Sequence, residues 1–197
     1  MLIEASLAKH FLDRYQTVLG YAALAGGLVS KADKEVNGLA LMQKARNAMA
    51  QDPALLSKAV AAMEKVGEPW PEDMQQALAS LRVGHWVYLR DTTAYSVLME
   101  TGALEGAYAV KALTEPLKDI MGDSGAIIDA GLLEFHGQII CDGLIGLGAW
   151  LGPGYRGEFN ATLTEYRANG LFFRDRLLPA PKQKAASPKK RSASKPK

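Results

Sequence analysis

Gly84-His85-Trp86-Val87-Tyr88-Leu89-Arg90 is the point at which the chain changes character. Before it, apolar residues recur every three or four positions; after it, they come in short runs rich in aromatic and branched side chains. Tyr95-Ser96-Val97-Leu98-Met99 and Ala107-Tyr108-Ala109-Val110-Lys111-Ala112-Leu113 repeat that character, separated by Asp-Thr-Thr and Thr-Gly segments. Side chains of this kind suit a pleated, half-buried surface, so the three runs are predicted to be strands of an antiparallel meander. Two further apolar runs, 126–135 and 138–145, flank His136-Gly137, a pair of the length that a tight hairpin turn requires. The meander therefore has about five strands.

Upstream, Leu7, Phe11, Tyr15, Val18, Leu19 and Ala22 form one apolar stripe with Lys9, Asp13 and Arg14 between them, the pattern of an amphipathic helix that Gly26-Gly27 ends. A second helical stretch is predicted over 33–50, with Val36, Leu39, Met42, Ala45 and Met49 on one side. Asp52 is a suitable N-cap and Pro53 a suitable first residue for a third helix, which Gly67 follows. A fourth starts near Pro71, with Glu72 and Asp73 favourable in its first turn, and runs to about Arg82. A last helix over 158–169 presents Phe159, Leu163 and Tyr166. About four helices in the N-terminal half, then strands, then a C-terminal helix is a segregated order, which predicts the α+β class. Residues 1–178 read as a single domain, with subdivision near 83 as the alternative.

At 197 residues the chain can bury about 70% of its unfolded surface and needs neither disulfide nor structural metal. Cys141 is the single cysteine, and no Cys/His cluster has zinc-ligand spacing, so a reducing, cytoplasmic setting is expected and no metal or cofactor is called for. The most apolar glycine-rich stretch, 143–154, is too short and too broken by Gly and Pro to span a membrane.

The chemistry-bearing groups concentrate on the 134–142 hairpin: Glu134, His136, Cys141 and Asp142. With His136-Gly137 as the turn, Leu132 faces Cys141, and His136 lies on the order of 16 Å from Cys141 at ~3.3 Å per residue. Those two cannot then form a thiolate–imidazole pair. In that register Cys141 shares a face with Ile128, Ala130, Leu132, Ile139 and Ile145, the company of a buried, inert thiol. The opposite face carries Asp129 and Asp142 near each other, either as a cation-binding or proton-sharing pair or as solvated or salt-bridged side chains. Gly122-Asp123-Ser124-Gly125 resembles the nucleophile segment of chymotrypsin-like proteases over four residues only, and turn chemistry accounts for it. Gly146-Leu147-Gly148 begins a dinucleotide fingerprint, but Leu151 stands where its third glycine belongs. Trp86, Tyr88, Tyr108, Trp150 and Tyr155 read as packing aromatics, since the strands carry few cations beside them.

Residues 179–197 contain Lys182, Lys184, Lys189, Lys190, Arg191, Lys195 and Lys197, no acid and no large apolar side chain, and are expected to be disordered. Removing those seven cations from a chain of net charge +2 leaves residues 1–178 at −5. The Lys/Ala/Pro/Ser composition and Ser187-Pro188-Lys189-Lys190 are similar to the tails of linker-histone-like proteins, which implies DNA contact through phosphate neutralisation; a purely solubilising tail is the alternative. The sequence thus points to a non-enzymatic binding or regulatory protein whose body recognises an unidentified protein partner and whose tail makes weak, sequence-independent contacts with nucleic acid or another polyanion. The alternative is a small enzyme or ligand-binding domain with its site at the 134–142 hairpin and the glycine-rich loop after it.

Overall fold

The computed structural model describes residues 1–29, 37–101 and 106–178. The seven tail cations, the start of the expected second helix at 33–36 and residues 102–105 lie outside the described residues. Four helices come first: α1 (Ala5–Ala25), α2 (Gly38–Gln51), α3 (Pro53–Lys65) and α4 (Glu72–Ala79). The strand region follows as β1 (Arg82–Asp91), β2 (Ser96–Glu100), β3 (Ala107–Lys111), α5 (Leu117–Met121), β4 (Ala126–Phe135), β5 (Gln138–Cys141), β6 (Gly146–Trp150), α6 (Pro153–Ala168) and β7 (Phe172–Phe173). The class is α+β, with a mixed sheet of seven strands among the described residues.

The helix boundaries follow from local chemistry. The Asp52 carboxylate accepts from Ala54 N and Pro53 opens α3, as the cap signal requires. Asn37 caps α2, its side chain accepting from Leu39 N and Ala40 N. The last helix starts at Pro153, five residues before the expected position: proline has a helical φ and no N–H to satisfy, which suits the first turn.

The antiparallel meander holds for β1–β2–β3, and the ladder then takes another course. β4 pairs antiparallel with β1, β5 pairs antiparallel with β4, and β5 runs parallel beside β3. The circuit β1-β2-β3-β5-β4-β1 closes on itself, a five-stranded barrel with α5 placed between β3 and β4. The turn is His136-Gly137, both at positive φ (48° and 68°), which is the backbone a two-residue hairpin loop needs. Leu132 pairs with Cys141, the register expected from the turn. After β5 the chain leaves the ladder at Asp142 and rejoins β4 as β6.

Strand alternation distributes the apolar side chains among three clusters. Inside the barrel are Trp86, Tyr88, Leu98, Tyr108, Val110, Ile128, Leu132, Ile139 and Cys141, with Leu117 of α5. Val87, Leu89, Val97 and Met99 point outward from β1 and β2 and are covered by Leu163, Phe159 and Tyr166 of α6. Leu133, Phe135 and Ile140 point outward from β4 and β5 into the helical layer, against residues that include Phe11, Tyr15, Leu19, Met63 and Met74. Helices and barrel thus meet in one shared cluster.

Candidate functional site

The interruption between β5 and β6 is built around a carboxylate. Asp142 is buried, and its Oδ1 accepts from Gly131 N (3.2 Å) and Leu144 N (3.0 Å). Its Oδ2 accepts from Tyr15 Oη of α1 (3.1 Å) and Arg46 Nη1 of α2 (3.3 Å). The side chain folds over Gly131, where a Cβ would collide with Asp142 Oδ2 and Cγ, so glycine is required there for a close approach. Arg46 is fully buried; it also donates to Asp129 Oδ1 (2.5 Å), Leu144 O (2.6 Å) and Asn47 Oδ1 (2.9 Å). Asp129 and Asp142 are therefore joined through a guanidinium, the salt-bridged form of that pair. Burial pushes the Asp142 carboxyl up from its ordinary value, opposed by Arg46 and by the Leu144 and Gly131 amides. Burial and the neighbouring Asp142 charge raise the Tyr15 phenol well above its ordinary value, so it stays a proton donor.

Tyr15 and Asp142 of this network line a cavity of about 460 Å³. Leu12, Leu19, Leu39, Met42, Leu113, Ile120 and Leu144 supply most of its wall; Tyr15 and Asp142 are polar at the floor, and Gln16, Thr114 and Glu115 stand at an exposed mouth. A second depression of about 330 Å³ shares Leu12, Leu113 and Thr114 and extends along α1 past Ala8 and Ile3. The groove is thus elongated and mainly aliphatic.

The hairpin tip has a separate arrangement. His136 Nε2 and His10 Nε2 lie 3.1 and 3.0 Å from the same oxygen, Asp73 Oδ2, tying the tip to α4 and α1. His10 stacks on Phe135 with ring centroids 6.5 Å apart. Beside them is a cleft of about 260 Å³ lined by residues that include Gln76, Glu134 and Asp175. Burial raises the Asp73 carboxyl, but the His136 hydrogen bond, the charge and hydrogen bond of His10 and the Met74 amide outweigh it and hold the group below its ordinary value. Among the described residues no group of three His, Cys, Asp or Glu is arranged to hold a metal ion.

The four hairpin candidates are divided between these places. Glu134 Oε1 accepts from Leu177 N at 2.7 Å, which fixes the segment after β7. His136 faces Asp73, and Asp142 lies on the cavity floor. Cys141 points into the barrel, and burial together with Asp142 pushes its thiol up to about 12. No hydrogen bond or ion pair joins any two of the four among the described residues. Gly122-Asp123-Ser124-Gly125 is a turn clasped by Arg156, which donates to Ser124 O. Trp86, Tyr88 and Tyr108 fill the barrel, whereas Trp150 and Tyr155 are exposed. Sequence reasoning missed Arg46 and Tyr15 as site residues. A lone arginine within the apolar spacing of α2 was the signal for one; the tyrosine is indistinguishable from core in sequence.

Fold and site together define an α+β protein in which a helical layer and a small closed barrel enclose an aliphatic cavity. Compared with protein-family models, curated proteins and solved structures, the chain matches none. The outer face of β1 and β2 is covered by Phe159, Leu163 and Tyr166 of α6.

Proposed function

We propose that the folded body is a ligand-binding domain that holds a small, mainly apolar and elongated molecule in the cavity between α1, α2 and the β5–β6 connection. The observation that supports this most directly is the cavity itself: about 460 Å³, aliphatic walls and a few polar groups gathered at floor and mouth. That is the size and composition of small-molecule sites, which run from about 300 to 1,000 Å³. The polar floor is already saturated by internal hydrogen bonds, so the ligand's affinity comes from its apolar area. Glu115 at the mouth, without an ion pair among the described residues, disfavours an anionic head group there. A protein partner for the body, expected from the sequence, is a separate proposal, which the cavity does not address.

Titration with a neutral, environment-sensitive dye such as Nile red tests this. Saturable fluorescence enhancement is expected, and Met42→Trp, which fills the groove from α2, should abolish it without lowering the thermal midpoint. Undiminished enhancement in that variant would place the dye elsewhere and count against the reading.

A second reading is supported by the charge split. Residues 179–197 carry seven cations and no acid beside a body of −5, so the basic segment serves as a contact for polyanions, with phosphate neutralisation supplying the affinity.

A further inference from the structure

Four arginines stack on aromatic rings near the end of the folded body, and they divide into two kinds. Arg82 lies over Trp86 and Tyr108 (5.4 and 6.0 Å to the ring centroids), and its N–H groups are consumed. It donates to both Glu100 oxygens (2.7 and 2.8 Å), to Tyr108 Oη and to Leu178 O. That arginine is structural. Arg167 and Arg174 both lie over Phe172, at 4.9 and 5.7 Å, and Arg174 also lies 5.3 Å from Tyr95, whose ring is 5.8 Å from that of Phe172. Arg176 lies 5.7 Å from Phe173. These three are exposed, and none of their guanidinium groups makes an ion pair or hydrogen bond among the described residues.

A guanidinium laid on a ring keeps its orientation while its N–H edge faces outward, the arrangement that matches a phosphate. The nearby acids do not neutralise the group. Asp175 lines the cleft beside Asp73 and His136, and Glu165 is two positions from Arg167 on α6, a spacing that does not bring side chains together. The patch is also continuous in sequence with the basic segment: from Arg167 to Lys197 there are ten cations and one acid.

We infer that Arg167, Arg174 and Arg176 form a folded anchor for nucleic-acid phosphates. This rests on the polyanion reading above and gives it a fixed point on the body. The rings are occupied by guanidinium groups and by each other, so bases have no free platform to stack on, and the contact is with the backbone and independent of sequence.

The test is fluorescence anisotropy of a labelled duplex of about 20 base pairs, titrated with the full chain between about 50 and 200 mM salt, where each phosphate contact contributes about −0.9 to the log–log slope. Arg167→Gln/Arg174→Gln should weaken binding about five-fold or more and flatten the slope by about 2. The same change should appear in a full chain whose seven 179–197 cations are Gln. Arg167→Lys/Arg174→Lys, which keeps the charges without the stacked fork, should recover part of the affinity and guards against a misfolded Gln variant, as do unchanged thermal midpoints. Equal affinity and slope for wild type and the Gln variant would overturn the anchor while leaving the polyanion reading of the tail intact. No duplex binding by wild type at about 50 mM salt would overturn both, as would preference for polyglutamate over duplex.

Discussion

Tyr15 Oη donates to Asp142 Oδ2 at 3.1 Å across 127 positions of sequence, fastening the first helix to the point where the barrel's β5 breaks off. Arg46 of α2 reaches the same oxygen, so both helices that wall the cavity are held by one buried carboxylate. Asp142 also lines the cavity, where β5 ends and the connection to β6 begins.

Arg46 should accordingly be the most costly single side chain to remove from the interface between helices and barrel. Arg46→Met leaves Asp142 buried without its cation, and breaking a buried pair in this way costs about 3–5 kcal/mol. Urea unfolding measures the loss directly. In an Asp142→Ala background the same substitution should cost distinctly less, since the stranded charge is gone. Equal costs in both backgrounds would mean that the pair is not coupled.

Cys141 should be inert in the native protein. Its thiol is 1% exposed inside the barrel and is pushed up to about 12, so at neutral pH the thiolate is scarce and shielded. A thiol reagent at pH 7 should modify urea-denatured protein at least about a hundred-fold faster than folded protein. Rapid modification of the folded state would contradict the placement of this strand face.

Asp73 sets a pH dependence whose sign is fixed. Its folded carboxyl lies below the ordinary 3.8, so the stabilisation from His136 and His10 is fully present above that value and is lost as pH falls through the folded value. Asp73→Asn should be less stable than wild type near pH 6, and the gap should shrink below about pH 4. The group is partly exposed, so solvent screening keeps the gap small. Urea midpoints of both proteins across this range give the comparison.

Much of the fold is legible in the sequence where local chemistry dictates it. Asp52-Pro53 announces a helix start, and the alternation around His136-Gly137 gives the hairpin register and with it the buried face of Cys141. What the pattern does not reveal is the closing of the sheet. A β1 strand that pairs on both edges reads the same as one that pairs on a single edge, because side-chain alternation records faces and not neighbours. The site was legible in part. Asp129 and Asp142 are close, as the register implies, but their partner Arg46 lies 83 and 96 positions away, a distance over which sequence pattern carries no signal. His136 found Asp73 for the same kind of reason, through helix packing that periodicity does not encode.

Methyl resonances give the most direct measurement of the cavity's role. In a methyl-labelled sample titrated with Nile red, Leu12, Leu19, Met42, Leu113, Ile120 and Leu144 should shift together and saturate with one dissociation constant, while Ile128, Leu132 and Ile139 inside the barrel stay in place. Shifts absent from the cavity set, or confined to the exposed surface around Leu147 and Trp150, would contradict the account.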